Sequence, residues 1–247
     1  MSRAALGRSP DRFPRPRVGR VTIGAVSDEN RWVIVVPVKV ASAGKTRLAG
    51  AFDSRARTAL VRAMALDTVD AAAAAARVAR VLVVTADPVI VEAAGPAFGV
   101  VAEPTPNEPT PDAAQPAPLN RAIEAGIAGA RRLVPRASVA VLLGDVPALR
   151  PADLDVALGL ADDVPRGFVA DADGSGTTLL TGSRGADLSP RFGVGSAAAH
   201  AACGHAPLDV SSSSTLRRDV DVPADLEAVA ALGLGGRTVS LLERLRG

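Results

Sequence analysis

The apolar and polar positions along the chain form two kinds of segment, which follow one another in turn. Short runs rich in Val, Ile and Leu, such as WVIVVPV at 32–38 and SVAVLL at 138–143, are typical of buried strands. Longer segments repeat Ala, Leu and Val at the spacing of a helix that packs on one face. The pattern predicts strands at 32–38, 80–85, 99–102, 138–143, 167–171, 177–181 and 208–210. It predicts helices at 54–78, 88–97, 119–133, 151–160, 196–203 and 223–232.

Strands that alternate with helices are typical of a mostly parallel central sheet flanked by helices, an α/β fold. Such sheets bind ligands at the carboxyl ends of their strands. Lys39, Asp145 and the turn at 171–178 all lie at the ends of predicted strands. We therefore expect them to meet at one edge of the sheet, where the site would be.

Composition and charge divide the chain into a short tail and a single domain. In residues 1–20, six arginines oppose one aspartate, so this segment carries +5 of a chain whose net charge is +2. Its proline and arginine content predicts a disordered tail over 1–28, with one domain over 29–247. The alternative is that this segment is a basic arm that binds nucleic acid. The rest of the chain has no basic stripe with interleaved aromatics, so we expect no nucleic-acid partner.

The cysteine count and the distribution of apolar residues indicate the cellular compartment. The one cysteine, Cys203, excludes an internal disulfide and suits a reducing compartment. The N-terminus lacks the apolar region of a secretory signal, and no apolar run approaches the roughly 20 residues that span a bilayer. We expect a cytoplasmic protein without a membrane partner. A homodimer is compatible with the sequence, which does not specify an oligomeric state.

Lys39 and Lys45 are the only lysines among 28 basic residues, and both follow the apolar run at 32–38. Because arginine does not replace lysine at a compact phosphate site, this bias predicts a phosphate-binding loop. The sequence GKT at 44–46 is similar to the end of a P-loop, but that motif needs glycine where Lys39 stands. The loop, which also carries Arg47, is predicted to bind a triphosphate in another way; a solvated basic loop is the alternative.

Three aspartates are the candidate metal ligands. Asp145 directly follows a predicted buried strand, and Asp219 and Asp221 would share one face of an extended segment. Mg²⁺ prefers a few carboxylates together with phosphate oxygens. The pattern predicts a Mg²⁺ site that serves the in-line displacement of one phosphate by another. Roles in a turn or a helix cap are the alternative.

Such a displacement depends on positioning and charge neutralisation more than on acid–base catalysis. A phosphate nucleophile is already ionised at neutral pH and needs no general base. This agrees with a chain that has two histidines, His200 and His205, and no convincing catalytic triad. We interpret His200 as a helix residue, and Asp171 and Asp173 as parts of an Asp-Gly turn. The proline-rich segment at 103–118 is predicted to be irregular, either a lid over the site or a surface insertion.

Together these fragments resemble the CofC/FbiD family, the guanylyltransferases of deazaflavin coenzyme F-420 biosynthesis. The resemblance runs from Trp32 to about Leu226 and is specific because six fragments occur in the same order. They are VPVK at 36–39 with GKTRL at 44–48, LNRAIEAG at 119–126, LGDVPAL at 143–149, DGSGTT at 173–178, FGVGS at 192–196 with His200, and LRRDVD at 216–221.

The resemblance implies a nucleotidyltransferase fold of the GT-A type, with GTP as donor and phosphoenolpyruvate or 2-phospho-L-lactate as acceptor. The alanine-rich, lysine-poor composition resembles that of actinobacterial members, which favours phosphoenolpyruvate. By motif, the resemblance implies a catalytic role for Lys39, Lys45 and Asp145, metal binding by Asp145, Asp219 and Asp221, acceptor binding by Thr178, Gly193 and Ser196, and nucleotide binding by Lys39, Lys45, Arg47 and Asn120.

Two alternatives stay open at the level of sequence. One is another GT-A enzyme, a cytidylyl- or uridylyltransferase acting on a sugar or alcohol phosphate. The other is a non-catalytic nucleotide-binding module on the same fold, although such a module has little use for a pair of metal-binding aspartates.

Overall fold

The computed structural model describes residues 32–39, 48, 50–104 and 117–246. Within these ranges, seven strands form one sheet in the order β3-β2-β1-β4-β6-β5-β7. The strands are β1 Trp32–Pro37, β2 Val78–Thr85, β3 Phe98–Ala102, β4 Ser138–Leu142, β5 Arg166–Ala170, β6 Thr177–Gly182 and β7 Ala206–Pro207. The helices are α1 Ser54–Ala74, α2 Pro88–Glu92, α3 Pro118–Leu133, α4 Pro151–Ala161, α5 Ser196–Ala202, α6 Pro223–Ala230 and α7 Gly236–Arg246, and a 3-10 turn covers Thr215–Arg217.

The sheet is mostly parallel, as the strand–helix alternation predicts. β1 pairs in parallel with β2 and β4, and the pairs β2–β3 and β5–β7 are also parallel. Only β6 runs against its neighbours β4 and β5. A short turn joins β5 to β6, and a connection of that length can only link antiparallel strands. The carboxyl end of β4 therefore lies beside the turn that begins β6.

Helices cover both faces of the sheet because the central strands are apolar on both faces. Trp32, Ile34 and Val36 belong to the buried cluster that includes α1 and α4. The alternate residues Val33 and Val35 belong to the cluster on the opposite face, beneath α3 and α5. The continuous apolar run in β1 thus forms the centre of two hydrophobic cores.

Several predicted boundaries are corrected by local contacts. The first helix ends at Ala74 rather than 78, and Val78 instead begins β2, where it pairs with Trp32. Asp53 caps the start of that helix by accepting from the backbone N–H of Ala56. α2 ends at Glu92, before Gly95-Pro96, which cannot continue a helix. The predicted strand at 208–210 is wrong, because the β5 pairing reaches only Ala206–Pro207.

The C-terminal helix α7 was not predicted, and a side chain from another element secures it. The Asp67 carboxylate of α1 accepts hydrogen bonds from the backbone N–H groups of Arg237 and Thr238, at 3.0 and 2.8 Å. Asp67 is buried, so α7 takes its first-turn partner from a helix 170 residues earlier in the chain.

Some predictions fall outside the described residues. These are the tail at 1–28, Lys45, Arg47 and most of the proline-rich segment at 103–118. Among the helices that the structure does describe, none is both long and apolar enough to cross a membrane.

Candidate active site

A cleft of about 660 Å³ opens at the edge of the sheet where β4 ends. Five segments that are distant in sequence form its wall: the start of α3, the end of β4, the turn between β5 and β6, the loop before α5, and the segment 219–221. Ligand sites of open α/β sheets lie at this edge, as the sequence predicted for this chain.

Three carboxylates meet on one side of the cleft. Asp145, Asp219 and Asp221 each place a carboxylate oxygen within 4.8 Å of the other two. Asp145 and Asp219 are half-buried and Asp221 is exposed. The structure thus brings together the three aspartates predicted to bind metal, and oxygen ligands of this kind suit a hard divalent cation.

The backbone explains why these aspartates converge. The N–H of Val220 donates to the carbonyl of Asp145 at 2.9 Å, which ties the 219–221 segment to the end of β4. Val220 itself is fully buried in the cluster with α1, α6 and α7. Since neighbouring residues of an extended segment point in opposite directions, burying Val220 turns Asp219 and Asp221 toward the cleft.

Arg217 joins this segment to the opposite wall of the cleft. Its guanidinium donates to the carbonyls of Ala170 and Asp171 at 2.8–3.2 Å. The Asp171 carboxylate in turn accepts from the N–H groups of Ser175 and Gly176, which closes the β5–β6 turn. The turn role predicted for Asp171 is confirmed, and Asp171 also lines the cleft, as expected for the turn at 171–178.

A glycine loop lines the same cleft as the acidic group. Gly193 and Gly195 have φ values of 142° and 71°, which side chains disfavour, so glycine is needed at both positions. The N–H of Ser196 bonds to the carbonyl of Gly193, and the N–H of Ala197 bonds to the carbonyl of Ser175 in the facing turn. Gly193 and Ser196, both predicted to bind the acceptor, therefore line the cleft together.

Thr178 and Asn120 lie behind the wall rather than on it. The Thr178 side chain is buried, and its Oγ1 lies 3.5 Å from the carbonyl of Val169; the neighbouring Thr177 lines the cleft instead, since the two alternate across β6. The buried Asn120 side chain donates to the carbonyl of Phe192 at 3.1 Å and accepts from the N–H of Phe192 at 2.9 Å. The predicted nucleoside contact of Asn120 would have to be made beside these bonds, from a side chain that is 7% exposed.

Lys39 is exposed immediately after β1, beside the end of β4 in the sheet order. It lies at the predicted edge of the sheet. Phe192, Leu119 and Leu143 add an apolar part to the cleft wall that the sequence reasoning did not identify. Apolar residues carry no chemical signal that separates a cleft wall from the core, so no sequence pattern distinguishes them.

His200 is buried beneath the glycine loop, on helix α5 as predicted. Its Nε2 accepts from the N–H of Arg191, so the neutral ring carries its proton on Nδ1 and donates to Oγ1 of Thr177; both distances are 2.9 Å. Burial, with smaller contributions from His205 and Arg191, lowers the pKa of His200 to about 4. With both nitrogens engaged, His200 supports the wall and is not placed to act as a base.

Comparison with known proteins gives concordant results for sequence and fold. The guanylyl transferase CofC-like family matches residues 32–246. A phosphoenolpyruvate guanylyltransferase from Sanguibacter keddieii is 50% identical, over 86% of this chain and 84% of the relative. One from Thermomonospora curvata is 46% identical, over 88% of this chain and 91% of the relative. The crystal structure of a putative nucleotide-diphospho-sugar transferase from Desulfovibrio desulfuricans shares the fold, with a TM-score of 0.63 at 15% identity over 86% of this chain and 94% of that one.

Proposed function

The chain belongs to the guanylyl transferase CofC-like family and is a nucleotidyltransferase, and we propose that it transfers GMP from GTP to phosphoenolpyruvate in coenzyme F-420 biosynthesis. An oxygen of the acceptor phosphate attacks the α-phosphorus of GTP. The bond from that phosphorus to the β-phosphate bridging oxygen breaks, which yields enolpyruvyl-diphospho-guanosine and pyrophosphate. The observation that carries this proposal is one cleft lined both by a glycine loop and by a close group of three aspartates.

The acidic group fits a divalent cation by number and kind of ligand. Asp145, Asp219 and Asp221 would hold Mg²⁺, which commonly takes one or two carboxylates together with substrate phosphate oxygens. When bound, the metal neutralises charge that builds on the phosphates during displacement. The chain's own part is to hold the three carboxylates together, through the bond from Val220 to Asp145 and the burial of Val220.

The glycine loop fits the acceptor. Gly193 and Gly195 have no side chain, so a phosphate or carboxylate can approach their backbone closely, and the neighbouring Ser196 lines the same cleft. Thr178 would contact the acceptor through its backbone in β6, because its hydroxyl points toward the carbonyl of Val169 and away from the cleft. The relatives named phosphoenolpyruvate guanylyltransferase favour that acceptor over 2-phospho-L-lactate.

Lys39, Lys45 and Arg47, which follow β1 in sequence, would bind the GTP phosphates. Lys39 lies at the sheet edge that carries Asp145, and the other two lie outside the described residues. No general base is needed, since the acceptor phosphate is already ionised. This agrees with two buried histidines and a His200 whose nitrogens both bond within the protein.

Turnover with defined substrates tests the proposal. The protein is incubated with Mg²⁺, phosphoenolpyruvate and each of GTP, ATP, CTP and UTP, and released pyrophosphate is followed. We expect release with GTP above the other nucleotides; release with ATP or CTP but not GTP would refute guanylyl transfer. Equimolar phosphoenolpyruvate and 2-phospho-L-lactate then compete, and mass spectrometry identifies the product. A predominant lactate product would reassign the acceptor while leaving the donor unchanged.

The metal role is tested by Asp145→Asn, which keeps the shape of the side chain and removes its charge. We expect turnover to fall by more than about 100-fold, since even the partners of metal ligands cost 10–100-fold when mutated. Asp173→Asn is the control, because Asp173 is an exposed aspartate of the neighbouring turn that does not line the cleft. Near-normal turnover in Asp145→Asn, with an unchanged melting temperature in both variants, would contradict the metal role.

A further inference from the structure

Two backbone residues that precede the glycine loop are held by side chains from different helices. Arg191 and Phe192 immediately precede Gly193. Asn120 of α3 bonds both backbone groups of Phe192, while Nε2 of His200, on α5, accepts from the N–H of Arg191. Three polar groups of this short backbone stretch are thus fixed by two side chains.

These contacts are buried and leave little room for rearrangement. Asn120 is 7% exposed and His200 is fully buried. The Phe192 ring packs edge-on against the His200 ring, with centroids 4.9 Å apart at 72°. Breaking the bonds would leave buried polar groups without partners, which is costly. The start of the loop is therefore rigid, although Gly193 and Gly195 have no side chains to anchor them.

His200 also connects the loop to β6. Its Nδ1–H donates to Oγ1 of Thr177, at the start of β6 where the strand lines the cleft. One imidazole ring therefore fixes the distance between the two parts of the wall that would face the acceptor. A longer or shorter side chain at this position would change the width of the cleft.

From this geometry we infer that Asn120 and His200 are positioning residues for the acceptor: together they form a clamp that holds the glycine loop in its binding conformation. The inference rests on the proposed function for the identity of the acceptor. It gives Asn120 a role different from the predicted nucleoside contact, because the side chain is buried and bonds both backbone groups of Phe192. Neither residue is required to touch a substrate.

Steady-state kinetics of Asn120→Asp and His200→Gln test the clamp. In Asn120→Asp, the introduced carboxylate would still accept from the Phe192 N–H but would repel the Phe192 carbonyl. In His200→Gln, the amide keeps one acceptor near Arg191 and loses the bond to Thr177. We expect the KM for phosphoenolpyruvate to rise about tenfold or more in Asn120→Asp, and less in His200→Gln, while the KM for GTP stays within about twofold. Ile123→Val, a buried change on the same helix as Asn120 that does not bond the loop, is the control for general destabilisation.

Equal rises in both KM values, or a rise for GTP alone, would overturn the inference; the second result would restore the nucleoside contact. Hydrogen–deuterium exchange at the amides of Arg191 and Phe192 gives a readout that does not depend on turnover, using Asn120→Leu and His200→Phe, which remove the acceptors of these amides. We expect faster exchange at Phe192 in Asn120→Leu and at Arg191 in His200→Phe than in Ile123→Val, and unchanged exchange would refute the clamp. Should Asn120→Asp not fold, His200→Gln decides alone. Absence of turnover in the wild type would refute the proposed function, whereas the exchange result would still judge the clamp.

Discussion

The free energy of unfolding should fall as the pH is lowered from about 7 to about 5, because His200 is buried in its neutral form. Its Nε2 accepts from a backbone N–H, so a proton on that nitrogen would face another donor. Burial, reinforced by His205 and Arg191, lowers the pKa of His200 from 6.5 to about 4. The unfolded chain therefore takes up a proton near pH 6.5 that the folded chain does not. The stabilisation is complete above pH 6.5 and is lost as the pH falls toward 4.

The size of the effect follows from the two pKa values. At pH 7 the unfolded state is mostly neutral and the penalty is small. At pH 5 the unfolded state is almost fully protonated while the folded state is not, so linkage gives a loss of about 2 kcal/mol. The limiting loss below pH 4 would be about 3 kcal/mol. Such a loss is a large fraction of the stability of an ordinary domain.

Urea denaturation of the wild type and of His200→Gln at the two pH values isolates this contribution. His205 and the carboxylates titrate in both proteins, so the difference between the two pH-dependent losses belongs to His200. We expect the wild type to lose about 2 kcal/mol more than the variant between pH 7 and pH 5. Because the chain has two histidines, an NMR titration with the variant also assigns the His200 resonance. Equal losses in both proteins, or a His200 imidazole that titrates near 6.5, would refute the reasoning.

Three further predictions concern the fold and the metal. Asp67→Ala should lower the free energy of unfolding by about 2 kcal/mol in urea, because two N–H groups of α7 lose their partner, and an unchanged value would contradict the cap. Gly126→Ala should lower the free energy of unfolding by about 2 kcal/mol, because a Cβ there would lie 2.4 Å from the side chain of Val35. Gly129→Ala on the same helix should change it by less than about 0.5 kcal/mol, and equal effects would contradict this packing. Removing divalent cations with EDTA should lower the melting temperature of the wild type but not of Asp145→Asn, and equal shifts would place the bound ion elsewhere.

The parts of the fold that sequence predicts well are those governed by local pattern. The apolar runs of β1 and β4 and the helical spacing of α3 are visible without knowledge of the partners. The helix α7 was missed because its first turn is held by Asp67, a side chain of α1 that no local pattern connects to it. The end of α1 was misplaced for a similar reason: Val78 suits either a helix end or a strand, and its pairing with Trp32 decides.

For the candidate site too, the sequence predicts the residues that have a recognisable spacing and misses contacts between distant segments. The three aspartates were found because carboxylates at strand ends and at alternate positions have a recognisable spacing, and the structure brings them within 4.8 Å. The role of Asn120 could not be inferred in this way. Its position at the start of α3 is compatible with a ligand contact, and only the bonds to Phe192, 72 residues later, show that it supports the loop.

Four polar side chains around the cleft share one feature that suits the proposed reaction. Asn120, His200, Asp171 and Arg217 all bond backbone groups of the segments that form the wall. A displacement by an ionised phosphate gains little from acids and bases, and depends on holding two anionic substrates in line beside a cation. Around such a reaction, these four side chains contribute by fixing the backbone that forms the wall. Changes to these four residues should therefore act through the geometry of the wall, and they should leave no new ionisation in the pH dependence of kcat.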